Sequence, residues 1–324
     1  MRAVVVERWM EPSELRVQEI PEPEVPPGNL LVDVRAAGCN FFDILMVQGN
    51  YQVKPPFPFT PGAEIGGVVC ALGEGVEGFA VGDRVCASVG TGAFAERCLA
   101  LPGSCWQIPD GMSFEEGAAL PVVYPTSYAA LVYRADLVPG ETLLVHAAAG
   151  GVGISAVQIG KALGARVIAT AGGAEKCEVA KRAGADFCID YTDGDFVEQV
   201  REFTEGRGAD VIYDPVGGDI TDKSLKCIAW NGRLLIIGFA SGQIPEIKAN
   251  RILLKNIAVT GLHWGAHAKF EPEKIPLTFD ALFELHDEGH IAPVLYRNYS
   301  LEEVPDALEA LGSRRSYGKV IIAP

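Results

Sequence analysis

The stretch from His146 to Thr170, HAAAGGVGISAVQIGKALGARVIAT, limits what this chain can fold into more than any other. An apolar run, TLLVHAA (142–148), passes through Ala147-x-x-Gly150-x-x-Gly153 straight into a helix-period segment, Val152 to Leu163. A second apolar run, RVIATA (166–171), follows. Small residues are demanded where the backbone turns sharply between strand and helix and must approach a bound group closely. The first amides of the helix then face that group, and the helix dipole favours negative charge there. Strand, turn, helix and strand make a βαβ unit, the setting in which a pyrophosphate is held. Ala147 stands where the fingerprint usually has its first glycine. Within the loop, Ala149, Gly150, Gly151 and Val152 are the candidates for dinucleotide contact.

The same alternation continues downstream. Helical segments are expected near Glu175–Arg182, Phe196–Phe203 and Thr221–Ala229, interleaved with the apolar runs FCIDY (187–191), DVIYDPV (210–216), RLLIIGF (233–239) and IAVTGL (257–262). Six buried strands joined by helical crossovers predict an α/β fold with a doubly wound parallel sheet. Residues 1 to about 122 follow another grammar, with short apolar runs such as LLVDVRAAG (30–38), GGVVCALG (66–73) and VGDRVCASV (81–89) punctuated by turns. That spacing predicts a twisted, mostly antiparallel or barrel-like β domain. Beyond Phe270, two acidic amphipathic segments, FDALFELHDEG and LEEVPDALEAL, precede a strand-like ending, GKVIIAP.

A chain of 324 residues exceeds the usual size of one domain, so two are expected. With 27 Lys and Arg against 42 Asp and Glu, the net charge is −15, and no basic block is present. Nucleic acid and anionic membrane surfaces are held largely by basic faces, so neither is an expected partner. No apolar run approaches the roughly 20 residues needed to span a bilayer. The start, MRAVVVERW, reads as a strand followed by charge rather than a targeting peptide, and the expectation is a soluble, cytoplasmic protein. Eight cysteines (39, 70, 86, 98, 105, 177, 188, 227) sit singly, without a CxxC pair. They read as reduced, largely buried thiols rather than a disulfide framework or a structural metal site.

Coenzyme preference follows from the end of the second strand. NAD sites usually place an acid about 20 residues after the glycines to grip the ribose hydroxyl. Here the strand ends Thr170-Ala171-Gly172-Gly173, and the nearest acid, Glu175, lies beside Lys176 in the next helix. Small residues next to a lysine admit a phosphate, which points to NADPH over NADH. Lys176 also reads as an ordinary solvated helix residue.

Four segments together carry a resemblance: Gly38-Cys39-Asn40-Phe41-Phe42-Asp43, Pro61-Gly62-Ala63-Glu64-x-x-Gly67 running to Gly73-x-x-Val76, Val81-Gly82-Asp83-Arg84-Val85, and the AAAGGVG loop. With these the chain resembles a zinc-free medium-chain dehydrogenase/reductase, and within that superfamily the NADPH:quinone oxidoreductases, the group that includes ζ-crystallin. The resemblance implies a GroES-like β-rich catalytic domain over 1–122, completed by 265–324. It implies a Rossmann NADPH-binding domain over 123–264 and an active site in the cleft. Zinc-dependent relatives carry a ligand Cys where Asn40 stands and a ligand His where Ala63 stands, and their four-cysteine lobe is absent here. No metal is therefore expected. Cys39 lies one residue off, and a catalytic zinc wants three convergent ligands.

By the same resemblance, Asn40 and Thr126 lie near nicotinamide and substrate. Gly172, Lys176, Tyr191 and Arg314 surround the 2′-phosphate, with the neighbouring Arg315 leaving that register open by one. Gly238-Phe239-Ala240-Ser241 and Leu262-His263-Trp264 line the nicotinamide half, although Trp264 reads equally as packing between domains. When hydride reaches a quinone its oxygen becomes anionic, so the donors Asn40, Thr126 and Tyr51 suffice as catalytic groups. Asp43 and Glu64 read as loop braces that accept backbone amides. A rival reading starts from Val47-Gln48-Gly49-Asn50-Tyr51, which is similar to a loop in related enoyl-thioester reductases whose tyrosine is catalytic. Tyr51 would then serve reduction of a conjugated C=C. A third reading is a non-catalytic NADPH-binding structural protein. His146 reads as a packed core residue, and His286 with His290 as a solvated helix end. The run IAVTGL is expected at a sheet edge, and the resemblance implies that two such edges pair in a homodimer.

Overall fold

Three sheets organise residues Met1–Pro324, all of which the computed structural model describes. The chain divides into two compact units, Met1–Val122 with Pro293–Pro324, and Val123–Ala292. The first contains β1 (Arg2–Val4), β2 (Val17–Glu19), β3 (Leu30–Gly38), α1 (Phe41–Val47), β4 (Glu64–Leu72), β5 (Arg84–Ser88), β6 (Arg97–Ala100), β7 (Cys105–Gln107) and α2 (Phe114–Ala118). The second runs α3 (Val123–Tyr128), β8 (Thr142–Val145), α4 (Gly151–Ala162), β9 (Arg166–Ala171), α5 (Ala174–Arg182), β10 (Phe187–Asp190) and α6 (Phe196–Phe203). It continues through β11 (Ala209–Asp214), α7 (Gly218–Cys227), β12 (Ile228–Ile236), α8 (Ala249–Lys255), β13 (Ala258–Gly261), α9 (His267–Phe270) and α10 (Lys274–Asp287). The chain then returns to the first unit with β14 (Leu295–Tyr299), α11 (Val304–Gly312) and β15 (Lys319–Ile322).

In the first unit β3 is central, antiparallel to β4, β6 and β15. It is buried along almost its whole length, which is why LLVDVRAAG reads as a near-continuous apolar run rather than an alternating one. The core joins Leu30, Val32, Ile65, Val69 and Phe94 to Val304, Leu308, Val320 and Ile322 from the tail. The tail is thus part of this unit's core, through α11 and β15.

In the second unit six parallel strands lie in the order β10-β9-β8-β11-β12-β13. The order reverses between β8 and β11, and sheets of this kind bind ligands outside the carboxyl ends of the strands at that point. The glycine loop leaves the carboxyl end of β8. Residues 265–292, expected to complete the first domain, lie instead in the second unit. The cause is packing. Helix α10 lies against α3, Phe279 and Leu282 are buried, and Gln158 Nε2 donates to Ala292 O at 2.8 Å. No helix is long and apolar enough to cross a membrane. All eight cysteines are thiols, six of them buried.

Candidate active site

The glycine loop is a tight turn whose closure onto the helix requires glycine at one position, Gly153. Ala147 takes a left-handed φ of +48°, and Ala148 N donates to Thr170 O at 3.0 Å, tying the turn to β9. Gly150 caps α4. A Cβ on Gly153 would stand 2.3 Å from Ala147 O and 2.7 Å from Ala148 Cα, so only glycine lets the helix close onto the turn. The amides of Gly151, Val152 and Gly153 precede the first intrahelical bond and remain for an anion.

Beneath the loop, His146 is buried, with Nδ1 3.0 Å from Thr170 Oγ1 and Nε2 2.8 Å from Ser224 Oγ. Burial pushes its pKa down to about 4 against the opposing charge of Asp214, so the ring is neutral and structural. At the end of β11, Asp214 accepts from Val216 N at 2.8 Å, Gly217 N at 3.0 Å and Thr221 Oγ1 at 2.5 Å. That turn holds the next loop, since Ala240 N donates to Pro215 O and Ser241 N to Val216 O, each at 3.0 Å. Gly238–Ser241 therefore sit beyond the carboxyl end of β12, and Leu262 and Trp264 beyond that of β13. Trp264 leans on His267, with ring centroids 4.8 Å apart. The loop residues Ala149–Val152, Gly238–Ser241, Leu262 and Trp264 thus share one edge of the sheet.

At the end of β9 the phenol of Tyr191 lies over Gly172, where a Cβ would come within 2.6 Å of Oη. Lys176 occupies the first turn of α5. Asp190, which sequence reasoning passed over, pins this corner: its Oδ1 accepts from Gly173 N at 3.0 Å and from Thr192 Oγ1 at 2.6 Å. Those bonds hold its pKa below the usual carboxylate range. Arg314 belongs to the first unit, following α11 with φ +58°. Arg315 is engaged by Glu309 and by Ser313 Oγ, both at 3.0 Å.

The first unit gathers a second group of residues. Strand β3 leads to Asn40, β4 begins with Glu64 and β15 begins with Lys319. Asn40 is the cap of α1, its N–H donating to Asp43 Oδ2 at 2.7 Å. Its side-chain Nδ2 donates to Glu64 Oε1 at 2.7 Å. Lys319 Nζ donates to Glu64 Oε1 at 2.5 Å, Asn40 Oδ1 at 2.8 Å and Cys39 O at 2.9 Å. Glu64 Oε2 accepts from Val122 N at 2.8 Å. The two carboxylates thus do brace backbone. Gly38 is required here, because a Cβ would fall 2.5 Å from Glu64 Oε1.

Glu64, Lys319 and Asn40 are 0%, 4% and 6% exposed, so this is a buried ion pair with an amide in it. Asp43 is fully buried as well, and its Oδ1 has no partner. Burial pushes its pKa up to about 7, opposed by the Asn40 N–H and the Lys319 charge and reinforced by Glu64. Burial likewise raises the Cys39 thiol well above its ordinary value, so it is neutral. Lys319 was missed in the sequence, where its one signal is a lysine opening an otherwise apolar strand. The positive charge facing Glu64 is therefore the Lys319 ammonium, and no three His, Cys, Asp or Glu side chains are grouped to hold a metal ion. Tyr51 stacks on Phe42 with centroids 5.3 Å apart. Burial and then the Asp43 charge raise its pKa, so it keeps its proton as a donor. Thr126 lies on α3 in the second unit, partly buried.

Known proteins resemble this chain in sequence and fold. A family model described as zinc-binding dehydrogenase matches residues 151–280, and the alcohol dehydrogenase GroES-like domain matches 26–111. A quinone oxidoreductase-like protein 2 homolog of Nematostella vectensis is 42% identical over 294 residues, covering 90% of this chain and 80% of that protein. The chain belongs to the quinone oxidoreductase family of medium-chain dehydrogenases/reductases. In family terms the first unit carries the GroES-like domain and the second the Rossmann-like parallel sheet. An Escherichia coli quinone oxidoreductase solved with NADPH is 31% identical with a TM-score of 0.93, and coverage is 100% of both chains. A mycobacterial protein complexed with NADPH is 33% identical, also with a TM-score of 0.93 and 100% coverage of both chains. Membership in this family makes the chain an oxidoreductase.

Proposed function

We propose that this oxidoreductase uses NADPH to reduce a quinone, without a metal. The observation that carries the reading is the pair of proton-bearing donors in the first unit, Asn40 and Tyr51, with the Lys319 ammonium beside Asn40 committed to Glu64. Reduced nicotinamide supplies hydride when bound. The chain's own residues must hold the coenzyme, orient the acceptor and stabilise the oxygen that turns anionic. In this reading Asn40, Tyr51 and Thr126 donate to that oxygen, each worth ~2 to 4 kcal/mol when preorganised. Protons for the hydroquinone come from solvent.

The coenzyme fits the second unit. The small residues from Ala149 to Val152 leave the first amides of α4 for a pyrophosphate. Gly172, Lys176 and Tyr191, with Arg314, are assigned to the 2′-phosphate, because β9 ends without a carboxylate. Gly238, Phe239, Ala240, Ser241, Leu262 and Trp264 are assigned to the nicotinamide half. Strand β13 is a sheet edge with Ala258 and Gly261 exposed. Pairing of two such edges gives a homodimer, which light scattering at micromolar concentration would show and a monomer would contradict.

The raised pKa of Tyr51 also supports a second reading, reduction of a conjugated C=C with the phenol as proton donor. One assay separates them: NADPH oxidation with phenanthrenequinone, benzoquinone, an alkenal and an enoyl thioester, with NADH in parallel. Fast turnover of the quinones is expected. Turnover of the thioester alone, abolished in Tyr51→Phe, would overturn the quinone reading. Tight NADPH binding with no turnover at all would favour a structural role.

A further inference from the structure

We propose that Lys319 is a positioning residue which, with Glu64, keys the side-chain amide of Asn40 so that a single N–H, and not the carbonyl oxygen, is left for the reacting oxygen of the acceptor. The inference rests on the role given to Asn40 above. A carboxylate can only accept and an ammonium can only donate, while a primary amide does both from opposite ends. Glu64 Oε1 takes one Nδ2 hydrogen at 2.7 Å, and Lys319 Nζ donates to Oδ1 at 2.8 Å. Turning the amide over would set its oxygen against the carboxylate and its NH2 against the ammonium at those same distances. Two charge-assisted bonds would become two repulsive contacts. One Nδ2–H then remains, and its identity as a donor is fixed.

Lys319 does not itself serve the substrate. Its three N–H groups are spent on Cys39 O, Asn40 Oδ1 and Glu64 Oε1. Nor does stability account for it, because a buried ion pair is weak evidence for stability and well-packed apolar residues often do as well. Three strands of one sheet deliver the parts: Asn40 follows β3, Glu64 opens β4 and Lys319 opens β15. The tail that completes this unit's core therefore also sets the direction of a catalytic amide.

The test is a comparison of Lys319→Met with the charge-neutral double variant Glu64→Gln/Lys319→Met, each with and without Asn40→Ala. Melting temperature and kcat with a quinone are the readouts. Lys319→Met should lose both, since it strands a buried carboxylate. The double variant should recover most of the melting temperature, yet its kcat should stay down by about tenfold to a hundredfold, as expected when a donor is mis-aimed. In the Asn40→Ala background the same pair should change kcat by less than about twofold, because it acts through Asn40. Recovery of kcat together with stability, or an equal loss without Asn40, overturns the inference. Exchange of the Asn40 side-chain amide protons, followed by NMR, reads the keying without turnover. One proton is expected to exchange slowly in the wild type and quickly in the double variant; fast exchange of both in the wild type sinks the idea. Should the wild type reduce no quinone, the functional reading fails while the NMR result still decides the keying.

Discussion

Gly172→Ala tests the proposed phosphate end of the coenzyme site with one methyl group. Gly172 lies outside the positive-φ region, so alanine adds no backbone strain there and space alone is at issue. The new Cβ would lie 2.6 Å from Tyr191 Oη, 2.9 Å from Cζ and 3.2 Å from Cε2. Such atoms normally part at about 3.5 Å, so the phenol must withdraw by nearly 1 Å. Tyr191 is 46% exposed and can swing into solvent, which keeps the stability change within about 1 kcal/mol.

What the swing would remove, in the proposed placement, is the hydroxyl's bond to the 2′-phosphate. A hydrogen bond to a charged group is worth about 1.5 to 3 kcal/mol, so the Kd for NADPH should rise roughly tenfold to 150-fold. NADH lacks that phosphate, and its Kd should move by less than about twofold. Fluorescence titration of both coenzymes against wild type, Gly172→Ala and Tyr191→Phe provides the measurement. Tyr191→Phe removes the same hydroxyl and should reproduce the loss. Equal weakening of NADH and NADPH, or NADPH binding untouched in both variants, would refute the placement of the phosphate.

Gly153→Ala meets backbone atoms rather than a movable side chain, 2.3 Å from Ala147 O. It should cost about 1 to 3 kcal/mol of stability and abolish coenzyme binding, as thermal melts and titration would show. Asp43 is raised from 3.8 to about 7 in the folded state. The stability it contributes is complete below the unfolded value and lost as pH rises through about 7, with a slope of at most about 1.4 kcal/mol per pH unit. Urea unfolding of Asp43→Asn should lack that decline, and a parallel profile in wild type and variant would count against it. His146, lowered from 6.5 to about 4, acts in the opposite sense. Its stability is complete above the unfolded value and lost as pH falls through about 4, and His146→Gln should resist acid better over that window.

The parallel sheet was legible because buried strands and amphipathic helices differ in period, and α6 lies at the expected Phe196–Phe203. Strand β12 was harder. It starts at Ile228 rather than near Arg233, and the difference contains Trp230, 67% exposed, and Asn231 at φ +62°. Exposed residues with a left-handed backbone read as a turn, yet Ile228 pairs with Ala209 before the register shifts. Helix α10 was visible as a helix, but the unit it joins depends on Thr278 meeting Tyr133 and on Ala292 meeting Gln158. Asn40 and the glycine loop stood out because their motifs are local. Lys319 did not, since its partners Asn40 and Glu64 are 279 and 255 residues away.

Charge balance within the first unit bears on the acceptor. Glu64 and Lys319 cancel, and Asp43 retains much of its proton near neutral pH. Tyr51 retains its proton too. The hydrogen-bonding groups are thus preorganised without net charge, an arrangement that stabilises an oxyanion as it forms and does not discriminate against a neutral guest before it forms. The chain as a whole carries a net charge of −15, which opposes the approach of a large polyanion by long-range repulsion. An uncharged flat quinone avoids that repulsion, whereas an acyl group on a phosphorylated carrier does not. The same reasoning explains why cations are needed for the coenzyme. NADPH brings its own negative charge, and in the second unit Lys176 and the first amides of α4 are the groups proposed to offset it.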